Sequence, residues 1–286
     1  MPDILLYAVT SLLYAALGLY FWRTRWTGGG DTSGGSARAG IVSWERAAIL
    51  APLMLHSYLL YTSLFAAAEL RFGFSQAMSV TLWLTALIYW IESLIYDVKG
   101  MHALVLPLAA VCALLPAFFP GPETPAYTQT FAFRVHLLVA MLAYSLFTIA
   151  ALHATLMTVL ERRLHGGKHS LPSGESLAGP WASLPPLMTL EALLFRIITL
   201  GFVLLSLTLI SGFVFSEELF GQPARVNHKT VFGIISWIIF AALLVGRYRR
   251  GWRGRTALRW TLAGFAALLL AYVGSMFVLE VILGRV

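Results

Sequence analysis

Three histidines lie where an imidazole side chain could bind a metal close to, or inside, an apolar layer. His56 lies within a long apolar block, His136 near the start of another, and His228 immediately before a third. Neutral imidazole is a common ligand for transition metals and for haem iron. If the segments that carry His136 and His228 are neighbours, the two side chains could bind one iron from opposite faces. The sequence leaves open that each is a hydrogen-bonded packing residue.

The sequence lacks the motifs that several other chemistries require. The only cysteine, Cys112, lies in an apolar block, which excludes an intrachain disulfide relay and a cysteine-based metal site. The chain has no Cys-x-x-Cys-His, no His-Glu-x-x-His and no Gly-x-x-x-x-Gly-Lys segment. A b-type dihaem bundle would need matching pairs of histidines on two facing helices. Only His136 and His153 share a block, about 25 Å apart at 1.5 Å per residue, and no second block supplies a matching pair. We therefore predict a binding protein without enzyme activity, and no nucleic-acid partner.

The elements that must position these residues are long apolar helices. Of the 286 residues 59% are hydrophobic and 12% are charged, whereas a soluble domain has about a quarter of its residues charged. A bilayer core of about 30 Å requires about 20 apolar helical residues. The sequence predicts an all-α polytopic membrane bundle of about eight transmembrane helices, forming one integral membrane domain over residues 1–286. The predicted spans are 3–22, 47–67, 76–96, 102–119, 131–160, 190–215, 230–246 and 260–283.

The basic residues predict the orientation of these spans. Alternate loops hold fourteen and five lysines and arginines, the larger group ending in the arginine-rich segment 247–259. The positive-inside rule places the richer loops in the cytoplasm. Both termini are then predicted outside, in agreement with an even number of spans. His136 and His228 are predicted near the outer surface, and His56 near the middle of the membrane.

Ionisable residues within the spans are candidates for function or for pairing between helices. Glu92, Glu191 and Arg196 are predicted near the inner ends of their helices. We expect such groups to form ion pairs with neighbouring helices or to extend to the interface. Glu280, near the outer end of the last span, is expected to reach water.

Several short segments from Phe131 onward carry a recognisable pattern. They are residues 136–145, 227–230, 236–240, 251–255, 262–265 and 271–275. In these segments the chain resembles the cytochrome c assembly protein family, the superfamily of CcsA, ResC, CcmC and HemX-like membrane proteins. Its YpjD-like inner-membrane branch is the most similar. The resemblance is weaker over the first four spans.

The resemblance implies haem binding at the outer face of a bacterial-type inner (plasma) membrane, in or accessory to c-type cytochrome assembly. His136 matches the outward-facing histidine that opens the corresponding span in the family, and His56 matches a haem-binding histidine within an early span. We expect His136 and His228 to be the iron ligands and haem b to be the cofactor. The expected partners are the lipid bilayer and other cytochrome c assembly proteins. Residues expected around the haem are Trp237 and Tyr144, with Arg134, Arg225 and Lys229 near its propionates.

One segment departs from the family pattern. Family members that deliver haem carry an external tryptophan-rich motif that ends in Trp-Asp-Pro-Lys-Glu-Thr, where this chain has Val226-Asn227-His228-Lys229-Thr230. The reduced motif favours a sensing, regulatory or accessory role over delivery of haem to an apocytochrome. Two alternatives remain at this stage. One is a small-molecule or ion transporter that uses Glu92 and Arg196, and the other is a non-haem subunit of another membrane complex.

Overall fold

The computed structural model of the protein describes residues 2–24, 43–66, 71–95, 101–123, 130–166, 187–214, 216 and 228–284. These residues form helices, and their only β-type pairing is an isolated antiparallel bridge between Arg71 and Glu123. The helices are α1 (Pro2–Trp22), α2 (Ser43–Tyr61), α3 (Phe74–Ile95), α4 (His102–Phe118), α5 (Phe131–Gly166), α6 (Leu187–Val214), α7 (His228–Arg250) and α8 (Gly254–Leu269).

Two helices continue through wider, π-helical turns. α2 is followed by one at Thr62–Ala66. α8 runs on through Leu270–Gly274 and Val278–Ile282, on either side of Ser275–Phe277. We call the whole segment Gly254–Ile282 the last span.

Within the described residues, seven helices are long and apolar enough to cross a membrane, and α4 is a shorter apolar helix. A helix satisfies its own backbone hydrogen bonds, which is the condition for crossing lipid without water. The prediction of an all-α, multi-pass membrane protein is therefore confirmed. α4 contains Pro107 and Pro116, and Gly18 of α1 fits against Pro107, where a Cβ atom would lie 2.8 Å from the proline ring.

The helices form two four-helix units. In the first unit, α1 lies beside α2 and α4, and α3 also contacts both. In the second unit, α5 lies beside α6 and the last span, and α7 also contacts both. α3 and α5 join the two units, and the Tyr89 hydroxyl lies 2.9 Å from Nδ1 of His153 across this junction. The predicted outer histidines both belong to the second unit.

Two aromatic rings fill the centre of the second unit. Phe147 of α5 and Phe240 of α7 stack with their centroids 3.9 Å apart, and neither is exposed. Small residues allow this contact, because a Cβ atom at Gly264 would lie 2.8 Å from the Phe240 ring and one at Gly201 would lie 3.1 Å from Phe147. Close approach at glycine is a common way for membrane helices to associate. The fifth and seventh helices are thus in direct contact.

We expect Phe147→Ala to destabilise the second unit by about 2 kcal/mol. Replacing a buried phenylalanine with alanine costs roughly 3–5 kcal/mol in a water-soluble core. Here the side chain stays in lipid when the helices separate, so the loss of stability comes chiefly from the cavity and the lost contacts. Thermal unfolding in detergent measures the change. Phe213→Ala is the matched control, because Phe213 is 61% exposed on α6. Equal losses for the two variants would contradict a central role for the Phe147–Phe240 contact.

The arginine-rich segment 247–259 differs most from its expected structure. The spans predicted as 230–246 and 260–283 extend toward each other, so that α7 ends at Arg250 and α8 begins at Gly254. Arginine side chains are long enough to bring their charge to the interface from within a helix. The expected pairing of an inner-end carboxylate is present, since Glu191 lies in salt-bridge contact with Arg247 and 3.7 Å from Arg253.

Candidate functional site

His136 lies in the second turn of α5 and faces α6. Its Nδ1 is 2.8 Å from the hydroxyl oxygen of Ser211. That hydroxyl donates its own proton to the carbonyl oxygen of Thr208, at 3.1 Å. When the Ser211 hydroxyl donates to Thr208, its oxygen can accept a hydrogen bond from Nδ1 of His136, and this pattern matches the tautomer with hydrogen on Nδ1. Nε2 then carries the lone pair, and this arrangement is typical of metal-binding histidines, whose second nitrogen donates to a neighbouring acceptor.

His228 lies at the same end of the second unit as His136. It was expected in a loop but is the first residue of α7, and its side chain is exposed. From the Phe147–Phe240 contact, His136 lies eleven residues back along α5 and His228 lies twelve residues back along α7. At 1.5 Å per residue, the two histidines are about 16 Å and about 18 Å from that contact. Their depths in the bundle therefore match.

Trp237 lies on the side of α7 that faces α6. Its Nε1–H donates to the hydroxyl oxygen of Ser206 at 2.8 Å. Its ring stacks on Phe202 with a centroid distance of 5.4 Å and an interplanar angle of 26°. Because both contacts lie on α6, Trp237 and His136 are positioned by the same helix.

Tyr144 and Lys229 lie on the opposite side, against the last span. The Tyr144 hydroxyl donates to the carbonyl oxygen of Leu268 at 2.8 Å. Nζ of Lys229 lies 5.2 Å from the centroid of the Tyr272 ring and 3.2 Å from the sulfur of Met276. A cation over an aromatic face is held electrostatically. Tyr144 and Lys229 thus lie toward the last span, and His136 and Trp237 lie toward α6. Tyr144 is eight residues along α5 from His136 and Trp237 is nine along α7 from His228, so both rings lie about 12–14 Å deeper in the bundle than the histidines.

Glu280 connects this side of the site to the first unit. Its Oε1 accepts a hydrogen bond of 3.1 Å from the backbone N–H of Phe74, at the start of α3. It also interacts electrostatically with Lys229. Glu280 was expected to reach water; it is partly exposed, and it also binds the positive N-terminal end of α3, a position that favours an anion. The negative charge of Glu280 therefore partly offsets the positive charge of Lys229.

Two further predicted residues lie at the edge of the described structure. Arg134 is exposed in the first turn of α5, on the same helix end as His136. Arg225 lies outside the described residues. Arg134 and Lys229 both place positive charge at the end of the second unit where the two histidines lie.

His56 is not brought to this group of residues. It lies in the first unit, where it is fully buried, with Nε2 2.8 Å from the hydroxyl oxygen of Ser79 and its ring edge-on to Tyr14 at 5.7 Å. Nδ1 of His56 and the hydroxyl of Tyr14 are both buried and have no hydrogen-bond partner among the described residues. A ligand at His56 would thus occupy a second site, separate from that of this group.

The donor set fits haem better than a bare metal ion. Within the described residues there is no group of three or more His, Cys, Asp or Glu side chains that could hold a metal ion. A protein site for a free zinc ion needs three or four such ligands, whereas a porphyrin supplies four nitrogens and leaves one or two axial positions to the protein. One or two histidines beside cationic and aromatic side chains are therefore sufficient for haem.

Sequence reasoning did not assign four residues to this site, although it named Glu280 as an ionisable residue within a span. They are Ser211, Tyr272, Met276 and Glu280. Ser211 is a polar residue within an apolar span, which is a weak signal for a functional contact. The contacts of Tyr272, Met276 and Glu280 depend on how the last span lies against α7 and α3, which residue spacing does not specify.

Comparisons with known proteins identify the family of the chain. A family model described as Cytochrome C assembly protein matches residues 46–283. Inner membrane protein YpjD of Escherichia coli (strain K12) is 32% identical over 183 residues, which are 63% of this chain and 65% of that protein. Cytochrome c biogenesis protein CcsA of Prochlorococcus marinus (strain MIT 9313) is 30% identical over 199 residues, which are 61% of this chain and 62% of that protein.

The CcsA protein of Nostoc sp. (strain PCC 7120) is 36% identical over a shorter segment of 105 residues, which are 37% of this chain and 29% of that protein. The aligned segments thus span slightly less than two thirds of the YpjD and Prochlorococcus relatives, and no solved structure matches the chain. The family model, by contrast, covers residues 46–283 of the 286. The chain therefore belongs to the cytochrome c assembly protein family, and it is similar to the YpjD-like inner-membrane proteins within it.

Proposed function

We propose that the protein binds haem b at the outer end of its second unit and serves c-type cytochrome assembly in an accessory role. The observation that carries the proposal is the hydrogen-bond chain from His136 through Ser211 to Thr208. It supports the tautomer in which Nε2 of His136 can bind iron. His228, at the matching depth on α7, is the proposed second ligand.

The surrounding side chains have the properties that a haem requires. Trp237 and Tyr144, each held by a hydrogen bond of 2.8 Å, supply aromatic surface on the inner side of the two histidines. Lys229 and Arg134 supply positive charge for the propionates, which are carboxylates. Bound haem would supply redox-active iron, and the protein residues would bind and orient it without catalysing a reaction.

The proposed location is a bacterial-type inner membrane with both termini outside. The support is the similarity to YpjD, whose name describes an inner membrane protein, together with the positive-inside rule. The proposed partners are haem, the lipid bilayer and other cytochrome c assembly proteins. The short segment that replaces the tryptophan-rich motif favours sensing or holding haem over its delivery.

Two measurements test the proposal. Haem content is determined in protein purified from haem-replete membranes, where we expect bound haem that is reduced strongly in His136→Ala. Covalently bound haem in c-type cytochromes is then compared between cells with and without the intact gene. Haem binding without any effect on cytochrome levels would leave the haem site standing but remove the assembly role. The absence of haem would remove both and favour the transporter or non-haem subunit.

We expect Ser211→Ala to weaken haem binding by about tenfold. Loss of the group that orients a metal-binding histidine typically reduces metal affinity by about 10–100-fold. A haem titration of the purified protein measures the change. Thr199→Ala is the matched control, because Thr199 lies on the same helix and bonds only the carbonyl oxygen of Phe195 within that helix. An unchanged affinity in Ser211→Ala would show that the Ser211 contact does not position an iron ligand.

A further inference from the structure

The connection between α7 and α8 is a tight, well-held turn. Residues 251–253 join the two helices, and Gly251 and Gly254 have positive φ angles of 64° and 53°. The backbone N–H of Trp252 donates to the carbonyl oxygen of Gly246 at 3.2 Å. The Trp252 ring lies directly against Gly246, where no Cβ atom would fit, and 5.2 Å from the Trp260 ring. The turn therefore fixes the adjoining ends of α7 and α8 relative to each other.

This turn carries six arginines, of which three are ion-paired. Arg247 and Arg253 share Glu191, and Arg255 lies 3.3 Å from Glu161. The remaining three are exposed, and no carboxylate of the described residues lies within ion-pair distance of them. They are Arg249, Arg250 and Arg259. The two carboxylates are thus already occupied, and the surface around the turn has a clear excess of positive charge.

The position of these arginines identifies the kind of anion that they meet. Arg249 and Arg250 end one membrane-crossing helix, and Arg259 lies in the second turn of the next. Tyr248, beside them, is 91% exposed, and Val245, one turn deeper, is 53% exposed. Exposed tyrosine and basic residues at the end of an apolar helix are typical of the headgroup layer of a membrane. Phosphate groups of lipids are the anions found at that depth.

We propose that Arg249, Arg250 and Arg259 form a binding site for the phosphodiester headgroup of an anionic phospholipid. The guanidinium group of arginine binds phosphate oxygens through two parallel hydrogen bonds. A short turn can place several such groups near one phosphate. Basic clusters between membrane helices on the cytoplasmic side are suited to this class of lipid. The ion pairs to Glu191 and Glu161 hold the turn, and the three remaining arginines bind the lipid.

The test uses the full-length protein in detergent micelles that contain either phosphatidylglycerol or phosphatidylcholine. We expect tighter binding of phosphatidylglycerol, reduced by added salt. Each of Arg249→Gln, Arg250→Gln and Arg259→Gln should weaken it by about fivefold, and the triple variant by about a hundredfold. Arg162→Gln is the matched control, since Arg162 is another exposed arginine at the same end of the bundle. The unfolding temperature of the triple variant shows whether the fold is retained.

Four results would overturn the proposal. The first is equal binding of the two lipids by the wild-type protein. The second is unchanged phosphatidylglycerol binding in a folded triple variant. The third is displacement of the lipid by inorganic phosphate at equal concentration, which would identify a general anion site. Binding of polyglutamate in preference to phosphatidylglycerol would instead identify an acidic protein as the partner and would also contradict the proposal.

Discussion

Replacing His136 with alanine is expected to lower haem affinity by at least about a hundredfold. Altering a group that only orients a metal ligand lowers the metal affinity by about 10–100-fold. Removing the ligand itself should lower the affinity by more than that. The imidazole lost is the one whose tautomer is supported by Ser211 and Thr208. A haem titration followed by absorption spectroscopy measures the effect in purified protein.

The control for this prediction is His153→Ala on the same helix. His153 is buried, whereas His136 is half-buried, and Nδ1 of His153 lies near the Tyr89 hydroxyl and the carbonyl oxygen of Ile149 at the junction of the two units. We expect that variant to lose stability while folded protein still binds haem. If His136→Ala bound haem with an unchanged spectrum and His56→Ala did not, the site would lie in the first unit.

Glu191→Gln is expected to destabilise the protein by about 3 kcal/mol. Removal of one member of a buried ion pair costs about 3–5 kcal/mol, because the other charge is left without its partner. The lower end applies here, since the Glu191 side chain is 8% exposed but that of Arg247 is 27% exposed and can partly reach water. Arg247 also lies 4.6 Å from the Phe195 ring, so its position depends on several contacts. Thermal unfolding in detergent measures the loss.

Glu161→Gln provides the matched control at the same end of the bundle. Its partner Arg255 is 60% exposed, and exposed ion pairs contribute about 0–1 kcal/mol. The difference between the two variants therefore isolates the effect of burial. If both changes were equally mild, the ion pair of Glu191 would not be what holds the turn between α7 and α8.

The helices themselves could be predicted from hydropathy. Backbone groups in lipid must bond within a helix, so long apolar blocks have one structural solution. The ends of the helices were less predictable. The arginines of 247–259 were expected in a polar loop, whereas most of them lie within α7 and α8. The short turn at Gly251 and Gly254, where both glycines have positive φ angles, was not predicted.

The arrangement of the site could be predicted only in part. Helices that are apolar on all sides carry little periodic signal for which face meets which neighbour. The contact between α5 and α7 through Phe147 and Phe240 could therefore not be derived from spacing. The bond from Glu280 to the start of α3 joins residues 206 positions apart, which no local pattern specifies. Single histidines could be identified as candidates, but the Ser211 contact that supports the tautomer of His136 could not.

The central claim is a haem bound between His136 and His228, and an absorption spectrum tests it most directly. Wild-type protein and the double variant His136→Ala/His228→Ala are purified in detergent with ample haem and measured in the oxidised and reduced states. We expect a haem Soret band in the wild-type protein. The double variant should lose this band while it remains folded. A Soret band of equal intensity in the folded double variant, or none in the wild-type protein, would contradict it.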